Sequence, residues 1–481
     1  MAQNALTARK GIDTIVEEGE GHGLSRTLGK VSITAMGIGA IIGAGIFVLT
    51  GTAAARYAGP GIMLSFILGG IACSFVGLCY AELAALLPVS GSTYTYAYAT
   101  LGELVAWIIG WDLILEYAAG SATVAVGWSG YFMSLLGSLG LQFPKRFSEA
   151  PGSPITLVDG SHAHALFNLP AAAIVVLLTV LLIGGTRESV RLNTIMVAVK
   201  LIVVVAFVGV GAAFVHSGNW FPVIPANTGQ FGHYGWSGIL RGAGVVFYAY
   251  IGFDAVSTAA QEAKHPQTDM PVGILASLLI CTVLYMAVAA VLTGIVPYAR
   301  LNVADPIAIA TDAIGIAWFS LLIKIGTLTG LTTVILVFLY GQSRIFYTMA
   351  HDGLLPGLFA HVHPRLQTPY RSQALIGTCA ALVAGLVPLS VLGEMVSIGT
   401  LFAFVLVCGA VIRLRQTDGR MKRPFRVPGV PWVPVLGILF CVVLMAGLPL
   451  ATWLRLIVWL AIGLVLYFTY GRHHSRLRSR Q

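Results

Sequence analysis

Residues 37–47 read Gly37-Ile38-Gly39-Ala40-Ile41-Ile42-Gly43-Ala44-Gly45-Ile46-Phe47, with four glycines in nine residues inside an apolar run of roughly 31–57. Each glycine in a helix interior costs about 1 kcal/mol relative to alanine, so this run makes a poor continuous helix. Two arrangements explain it. Small residues let a neighbouring helix approach closely. Alternatively the helix is interrupted, which at membrane depth requires that the freed backbone groups line a polar cavity. A half-helix starting near Gly45 then aims its N–H groups and positive dipole end at an anion such as a carboxylate.

The rest of the chain sets this run in a membrane. Of 481 residues, 57% are hydrophobic and only 10% charged, against about 25% charged in soluble proteins. That composition excludes a disordered chain, a collagen-like fibre, a disulfide scaffold and an ordinary soluble enzyme. Twelve apolar runs are long enough to span, at roughly 31–57, 62–87, 103–136, 166–184, 192–215, 237–261, 271–297, 317–343, 374–390, 395–412, 432–450 and 453–470. An even number places both termini on one side. With that side taken as the cytoplasm, 20 of the 28 lysines and arginines fall inside and six outside, while Lys200 and Lys324 lie within runs. This positive-inside bias accounts for the net charge of +9 by topology and attraction to anionic lipid, so nucleic acid is not an expected partner. The first thirty residues are polar and do not form a signal peptide. The six cysteines sit in apolar runs without metal-site spacing and are expected as small core residues, with no metal and no cofactor. All eleven histidines lie in loops, tails or run ends, which argues against a histidine proton relay.

The sixth run reads Phe247-Tyr248-Ala249-Tyr250-Ile251-Gly252-Phe253-Asp254-Ala255-Val256-Ser257, with Gly242 and Gly244 upstream. A glycine and an acid again sit at mid-run. A half-helix ending here leaves free carbonyls suited to a cation such as an ammonium. Paired interruptions at corresponding places of two repeats are the best sequence pointer to a transporter's binding site. An anion site facing a cation site matches a free amino acid.

These stretches resemble the amino acid–polyamine–organocation transporters, and within them the cationic amino acid transporter family and its bacterial relatives. The likeness covers roughly 24–470. It rests on GIGAIIGAGIF (37–47), YAELAALLPVSGSTYTYAY (80–98), GTRESVRLN (185–193), FYAYIGFDAVSTAAQEAKHPQTDMPVGI (247–274), GQSRIFYTMAHDGLLP (341–356), VSIGTLFAF (396–404) and RPFRVPGVPWVP (423–434). The resemblance implies an all-α membrane protein of LeuT type, with helices 1 and 6 broken and alternating access. A five-helix repeat at 31–215 is followed by an inverted one at 237–412. Helices 11 and 12 lie at 432–470, and 1–30 and the basic tail 471–481 are cytoplasmic segments. It further implies a substrate site at Ile42, Gly43, Ala44, Gly45 and Ile46, where the backbone cradles a carboxylate. Across from it, carbonyls of Tyr248, Ala249 and Ile251 accept the α-amino group beside Gly252, with Tyr248 as an aromatic lid. The chain lacks the extra helix pair of the fourteen-helix animal members, so their specificity and accessory partners do not carry over.

Lys200 lies eight residues past Leu192, about 12 Å along a helix axis and beyond comfortable snorkelling reach. A lysine at this depth is a functional candidate by default. In the resembled fold it faces the first-run break, either as a proton carrier in place of sodium or as a permanently charged strut. Asp112 and Glu116 share a helix face. Beside a cavity they are a proton partner for Lys200 or an acceptor for a cationic side chain, with a hydrogen-bonded polar face inside the bundle as the plainer role. Glu116 and Asp254 are the candidate proton-coupling acids, Asp254 having tying down the broken helix as its plainer role. Glu82 reads as a salt-bridge anchor near the cytoplasmic end, Lys324 as close enough to the outer end to snorkel, and Arg344 with Asp352 as candidate inner-gate charges. Thr332 and Thr333 keep a sodium site open. The expected function is proton-coupled symport of a free amino acid across the cytoplasmic membrane, the alternative an amino acid exchanger. A membrane-embedded enzyme is disfavoured because no Walker motif, nucleophile elbow or HExxH is present, and no filter-like loop suggests a channel.

Overall fold

The computed structural model describes residues 9–10, 28–87, 92–156, 161–184, 190–254, 256, 263–363, 368–417 and 423–479. Most of the 1–30 segment lies outside the described residues. So do Ser90, Gly91, Arg187, Arg365, Arg420, Lys422, Arg480 and positions 257–261 of the sixth run.

Nothing in hydrocarbon replaces a backbone hydrogen bond, so apolar runs fold as helices. In chain order these are α1 (Lys30–Ile41), α2 (Ile62–Leu86), α3 (Ser92–Thr100), α4 (Glu103–Ser138), α5 (Leu169–Ile183), α6 (Val190–Gly211) and α7 (Gly235–Val246). There follow α8 (Pro266–Ile295), α9 (Pro306–Ile314), α10 (Ala317–His351), α11 (Tyr370–Leu386), α12 (Leu389–Thr417), α13 (Trp432–Gly447) and α14 (Leu450–Leu466). Seven helical stretches among the described residues are long and apolar enough to cross a membrane; Lys30–Ile41, Leu169–Ile183 and Trp432–Gly447 are apolar but shorter. Helical turns continue from Gly45 to Gly61 and join α2. One departure from all-α is a two-stranded antiparallel hairpin, β1 (Pro154–Thr156) with β2 (His162–His164), in the connection between α4 and α5. Beside it Asn168 caps α5 by accepting the Ala171 N–H at 3.2 Å, and it accepts the Ser129 hydroxyl at 2.7 Å, tying α5 to α4.

Charged groups gather at the two ends of the bundle. Arg415 makes a bidentate contact to the fully buried Glu82, at 2.9 and 2.6 Å. Arg423 approaches the same carboxylate at 3.2 Å, and the Val427 N–H donates to it at 2.7 Å. Glu82 therefore anchors the segment after α12, as an anchor rather than a coupling site. At the end of α10, Asp352 pairs with Lys10 at 3.2 Å and accepts the Tyr94 hydroxyl at 2.8 Å, while its carbonyl accepts the Arg476 N–H at 3.0 Å. The described parts of the N-terminus, α3 and the C-terminal tail thus meet at one place. Glu103 holds the same end by accepting the hydroxyls of Tyr98, Tyr467 and Ser475.

Of the two candidate inner-gate charges, Asp352 is held as above, while Arg344 stacks on Tyr340 one turn back, 4.2 Å from the ring centre. One expectation is corrected here. Lys324 does not snorkel. It is 1% exposed, donates to both oxygens of Asp312 at 2.8 Å and to Ser138 at 2.7 Å, and so links α10, α9 and α4. Twenty-eight residues separate Lys324 from Asp352, about 42 Å of helix, which places these two ion pairs at opposite ends of α10.

Removing one partner of a buried ion pair strands the other charge. Glu82→Ala is expected to cost about 3–5 kcal/mol, read as a lowered thermal unfolding midpoint of the purified protein, with Glu82→Gln losing less. An unchanged midpoint for Glu82→Ala would show that Arg415 and Arg423 find other partners.

Candidate functional site

The glycine-rich run is interrupted. Helix α1 ends at Ile41, Ile42 is extended (φ −71°, ψ 106°), and helical turns resume at Gly45. In the sixth run α7 ends at Val246 and tightens into a single narrow turn, Phe247–Tyr250. Ile251 is then extended (ψ 137°) and Gly252 has φ +115°, a region open to glycine but strained for other residues. Asp254 stabilises this turn by accepting the Gly252 N–H at 3.1 Å.

The two interruptions touch. A Cβ on Gly45 would lie 2.1 Å from the Cα of Ala249, and one on Gly252 would lie 2.5 Å from the Ala40 carbonyl oxygen. The two explanations of the glycines are therefore both realised: the helices break, and they pack backbone to backbone at the breaks. This changes the reason for Gly45, whose hydrogen faces Ala249 rather than open space. Gly43 is different, since a Cβ there would make ordinary contact with Val334 at 3.4 Å.

The freed carbonyls have partners. Tyr285, on α8, has its hydroxyl 2.9 Å from both the Ile41 and Ala249 carbonyls. The Tyr248 carbonyl accepts the Ile251 N–H at 3.2 Å. A carbonyl has two lone pairs, so each keeps room for a further donor. At Gly45 and Ile46 the restarting helix presents N–H groups that lack intrahelical partners, as any helix start does. Protein encloses the region: Ile42, Ala44 and Ile46 are 0% exposed, Ala249 1%, Tyr248 4% and Ile251 5%. The Tyr248 hydroxyl reaches the Gly120 carbonyl on α4 at 3.3 Å.

Lys200 lies where the sequence placed it, against the first half-helix. Its ammonium donates to the Gly39 carbonyl at 3.1 Å, and its stem runs over Gly330, where a Cβ would sit 3.0 Å from Cγ. No ion pair joins it to Glu116 or Asp254. Asp254 instead accepts the Gly252 N–H of its own turn, and it is Asp112, on the Glu116 face, that lies against α12. Asp112 lies close enough to Gly399 of α12 that a Cβ there would be 2.9 Å from Oδ1, and Glu116, one turn on, interacts electrostatically with both Asp112 and Asp254. The neighbouring Thr400 hydroxyl donates to the Val396 carbonyl at 3.0 Å. Both oxygens of Asp112 are buried with no hydrogen-bond partner among the described residues. Thr332 and Thr333 spend their hydroxyls on their own helix, at 2.8 and 2.7 Å, and Thr332 also accepts the Trp128 indole N–H at 3.0 Å. No group of three or more His, Cys, Asp or Glu side chains suited to a metal occurs among the described residues. Five cysteines are buried as expected; Cys379 is exposed. Tyr285, Thr400 and Gly399 were not singled out from sequence, because an aromatic or a threonine in an apolar run carries no mark of the element it faces.

Adding a methyl at a backbone contact forces the two breaks apart. Gly45→Ala and Gly252→Ala are each expected to cost about 1–3 kcal/mol in thermal unfolding. Gly43→Ala, at 3.4 Å from its neighbour, is expected to be nearly silent. Equal stability of all three variants would place the interruptions further apart than described.

Residues 28–467 match the model of a family described as amino acid permease. The branched-chain amino acid permease BcaP of Bacillus subtilis (strain 168) is 49% identical over 479 residues, covering 99% of this chain and 100% of that protein. The methylthioribose transporter of the same organism is 46% identical over 476 residues, with 99% and 100% covered. The vacuolar cationic amino acid transporter 4 of Arabidopsis thaliana is 39% identical over 422 residues, covering 86% of this chain and 68% of the relative. These relatives are membrane transporters, not enzymes. Matched over nearly its whole length, and built from apolar helices that break and meet at two glycine-bearing runs, this chain is a multi-pass membrane transporter that belongs to the amino acid permease family of the amino acid–polyamine–organocation superfamily.

Proposed function

We propose that the protein is a secondary active transporter that carries a free amino acid across the cytoplasmic membrane by alternating access, with a proton as the coupling ion. The observation that carries this reading is the meeting of the two interruptions at Gly45 and Ala249. A helix start with free N–H groups then lies beside carbonyls of a second helix. One end suits a carboxylate and the other an ammonium. In this reading Gly43, Ala44, Gly45 and Ile46 hold the carboxylate, the carbonyls of Tyr248, Ala249 and Ile251 take the amino group, and Tyr248 covers the ligand. Twelve spans are arranged as inverted repeats at 31–215 and 237–412 followed by helices at 432–470, with both termini cytoplasmic. The meeting of Lys10 and Arg476 at Asp352 supports termini on a common side.

The substrate class is favoured by the walls. Ile42, Ile46 and Ile251 flank the breaks, and Val334 faces Gly43. Aliphatic walls suit a neutral aliphatic side chain, in line with the branched-chain permease at 49% identity. Competition of a labelled branched-chain amino acid against all twenty tests this; displacement by arginine or lysine alone would overturn it.

A second reading is exchange, in which Lys200 is a fixed strut. Its favouring observation is that, among the described residues, the ammonium meets the Gly39 carbonyl and pairs with neither Glu116 nor Asp254. In the proton reading, an ammonium stabilises that carbonyl in one conformation and its neutral form favours the other; coupling requires only that the two conformations differ in proton affinity.

Proteoliposomes separate the two. Lys200→Met and Lys200→Arg are both expected to lose uptake driven by an imposed pH gradient, because guanidinium does not deprotonate. Near-normal pH-driven uptake by Lys200→Arg, or uptake by the parent protein only against internal amino acid, establishes the strut. Tyr248→Ala is expected to raise the transport KM or slow turnover, because it opens the closed site to water. Tyr248→Phe is expected to be nearly silent, since the hydroxyl contact is long at 3.3 Å. Equal damage from both would show that the hydroxyl bond matters.

A further inference from the structure

Two adjoining grooves open where α1 and α8 begin. One, of about 440 Å³, is lined by Lys30, Lys264, His265, Thr268 and Asp269. The other, of about 310 Å³, runs down the outside of α1 between Val31, Ala35, Ile38 and Val272. Lys30 and Val272 border both, so the pair forms one channel with a basic head and an apolar tail.

The chemistry of each part is distinct. Lys30 and Lys264 are exposed and form no ion pair among the described residues. The acid in the groove, Asp269, is 7% exposed and turned to its own helix start, where it accepts the His265 N–H at 3.1 Å. Among the described residues, two lysines and an imidazole therefore face outward against one carboxylate that is already hydrogen-bonded. Pairing of Leu28 with Ala263, with the Lys264 N–H donating to Leu28 at 2.8 Å, brings the two helix starts side by side, and their positive ends add to the field. The tail portion is apolar and open to the side: Val31 is 76% exposed and Val272 48%.

We infer that this channel binds an anionic phospholipid, with the phosphate at Lys30, Lys264 and His265 and one acyl chain along Val31, Ala35, Ile38 and Val272. A free anion uses the head alone and leaves the apolar tail in water. A zwitterionic lipid brings its own cation to the lysines. An anionic lipid satisfies both parts, and basic pockets between helices on the cytoplasmic side take such headgroups. The inference rests on the orientation proposed above only for which leaflet supplies the lipid.

Native mass spectrometry of the detergent-purified full chain tests binding without reference to orientation or transport. The probes are phosphatidylglycerol, phosphatidylethanolamine and inorganic phosphate. The parent protein is expected to retain phosphatidylglycerol in preference to phosphatidylethanolamine. Lys30→Gln and Lys264→Gln are each expected to weaken phosphatidylglycerol binding about five-fold. Arg413→Gln, an exposed cation away from the channel, is expected to leave it unchanged. Val31→Asn tests the tail without adding charge beside Lys30 and is expected to weaken the lipid without changing phosphate binding. The inference is overturned if the lysine variants bind phosphatidylglycerol as the parent does, if Arg413→Gln weakens it equally, or if inorganic phosphate displaces it completely at millimolar concentration.

Discussion

A backbone that leaves its helix inside a membrane must find partners within the protein, and the centre of this molecule is organised by that need. Two helices break, and each break is served by side chains from elsewhere. Tyr285 reaches carbonyls of both, Lys200 serves the last turn of the first, and Asp254 caps the turn of the second. Breaking the helices at glycines has a further consequence, because the same residues let the two backbones come into contact. The interruption and the tight packing are therefore one structure, seen from two sides.

Charge is handled differently at the ends and in the middle. At the ends acids and bases are paired and hydrogen-bonded: Glu82 with two arginines, Lys324 with Asp312, Asp352 with Lys10. Such groups are fixed and hold loops to helices. In the middle Lys200 meets one carbonyl, and Asp112 meets no hydrogen-bond donor among the described residues. In a low-dielectric interior an incompletely satisfied polar group carries a larger energetic stake than a paired one. The ion pairs at the ends are thus architectural, and the least satisfied charges lie in the interior.

Much of this was legible in the sequence because membranes write large signals. Apolar runs gave the helices, glycine clusters gave the two breaks, and a lysine eight residues into a run gave the group that meets Gly39. What was not legible depends on which faces meet. Asp112 and Glu116 share a helix face by spacing, but that the face looks at α12 rather than at Lys200 is a property of packing. Arg344 and Asp352 lie eight residues apart on one helix segment, yet one stacks on Tyr340 and the other turns to Lys10. Lys324 finds Asp312 in a short helix that hydropathy does not mark. Tyr285 looked like any aromatic in a run and proved to join the two breaks.

That tyrosine has one hydrogen and two equidistant carbonyls, at 2.9 Å each, from different helices. Only one of them is fully satisfied at any instant. Rotation about the phenolic C–O bond passes that hydrogen from one helix's carbonyl to the other's without moving either backbone. A hydroxyl shared in this way joins the two helices through one ring and has two equivalent bonding states. It keeps them in register while leaving neither strongly preferred, as a pivot does and a weld does not.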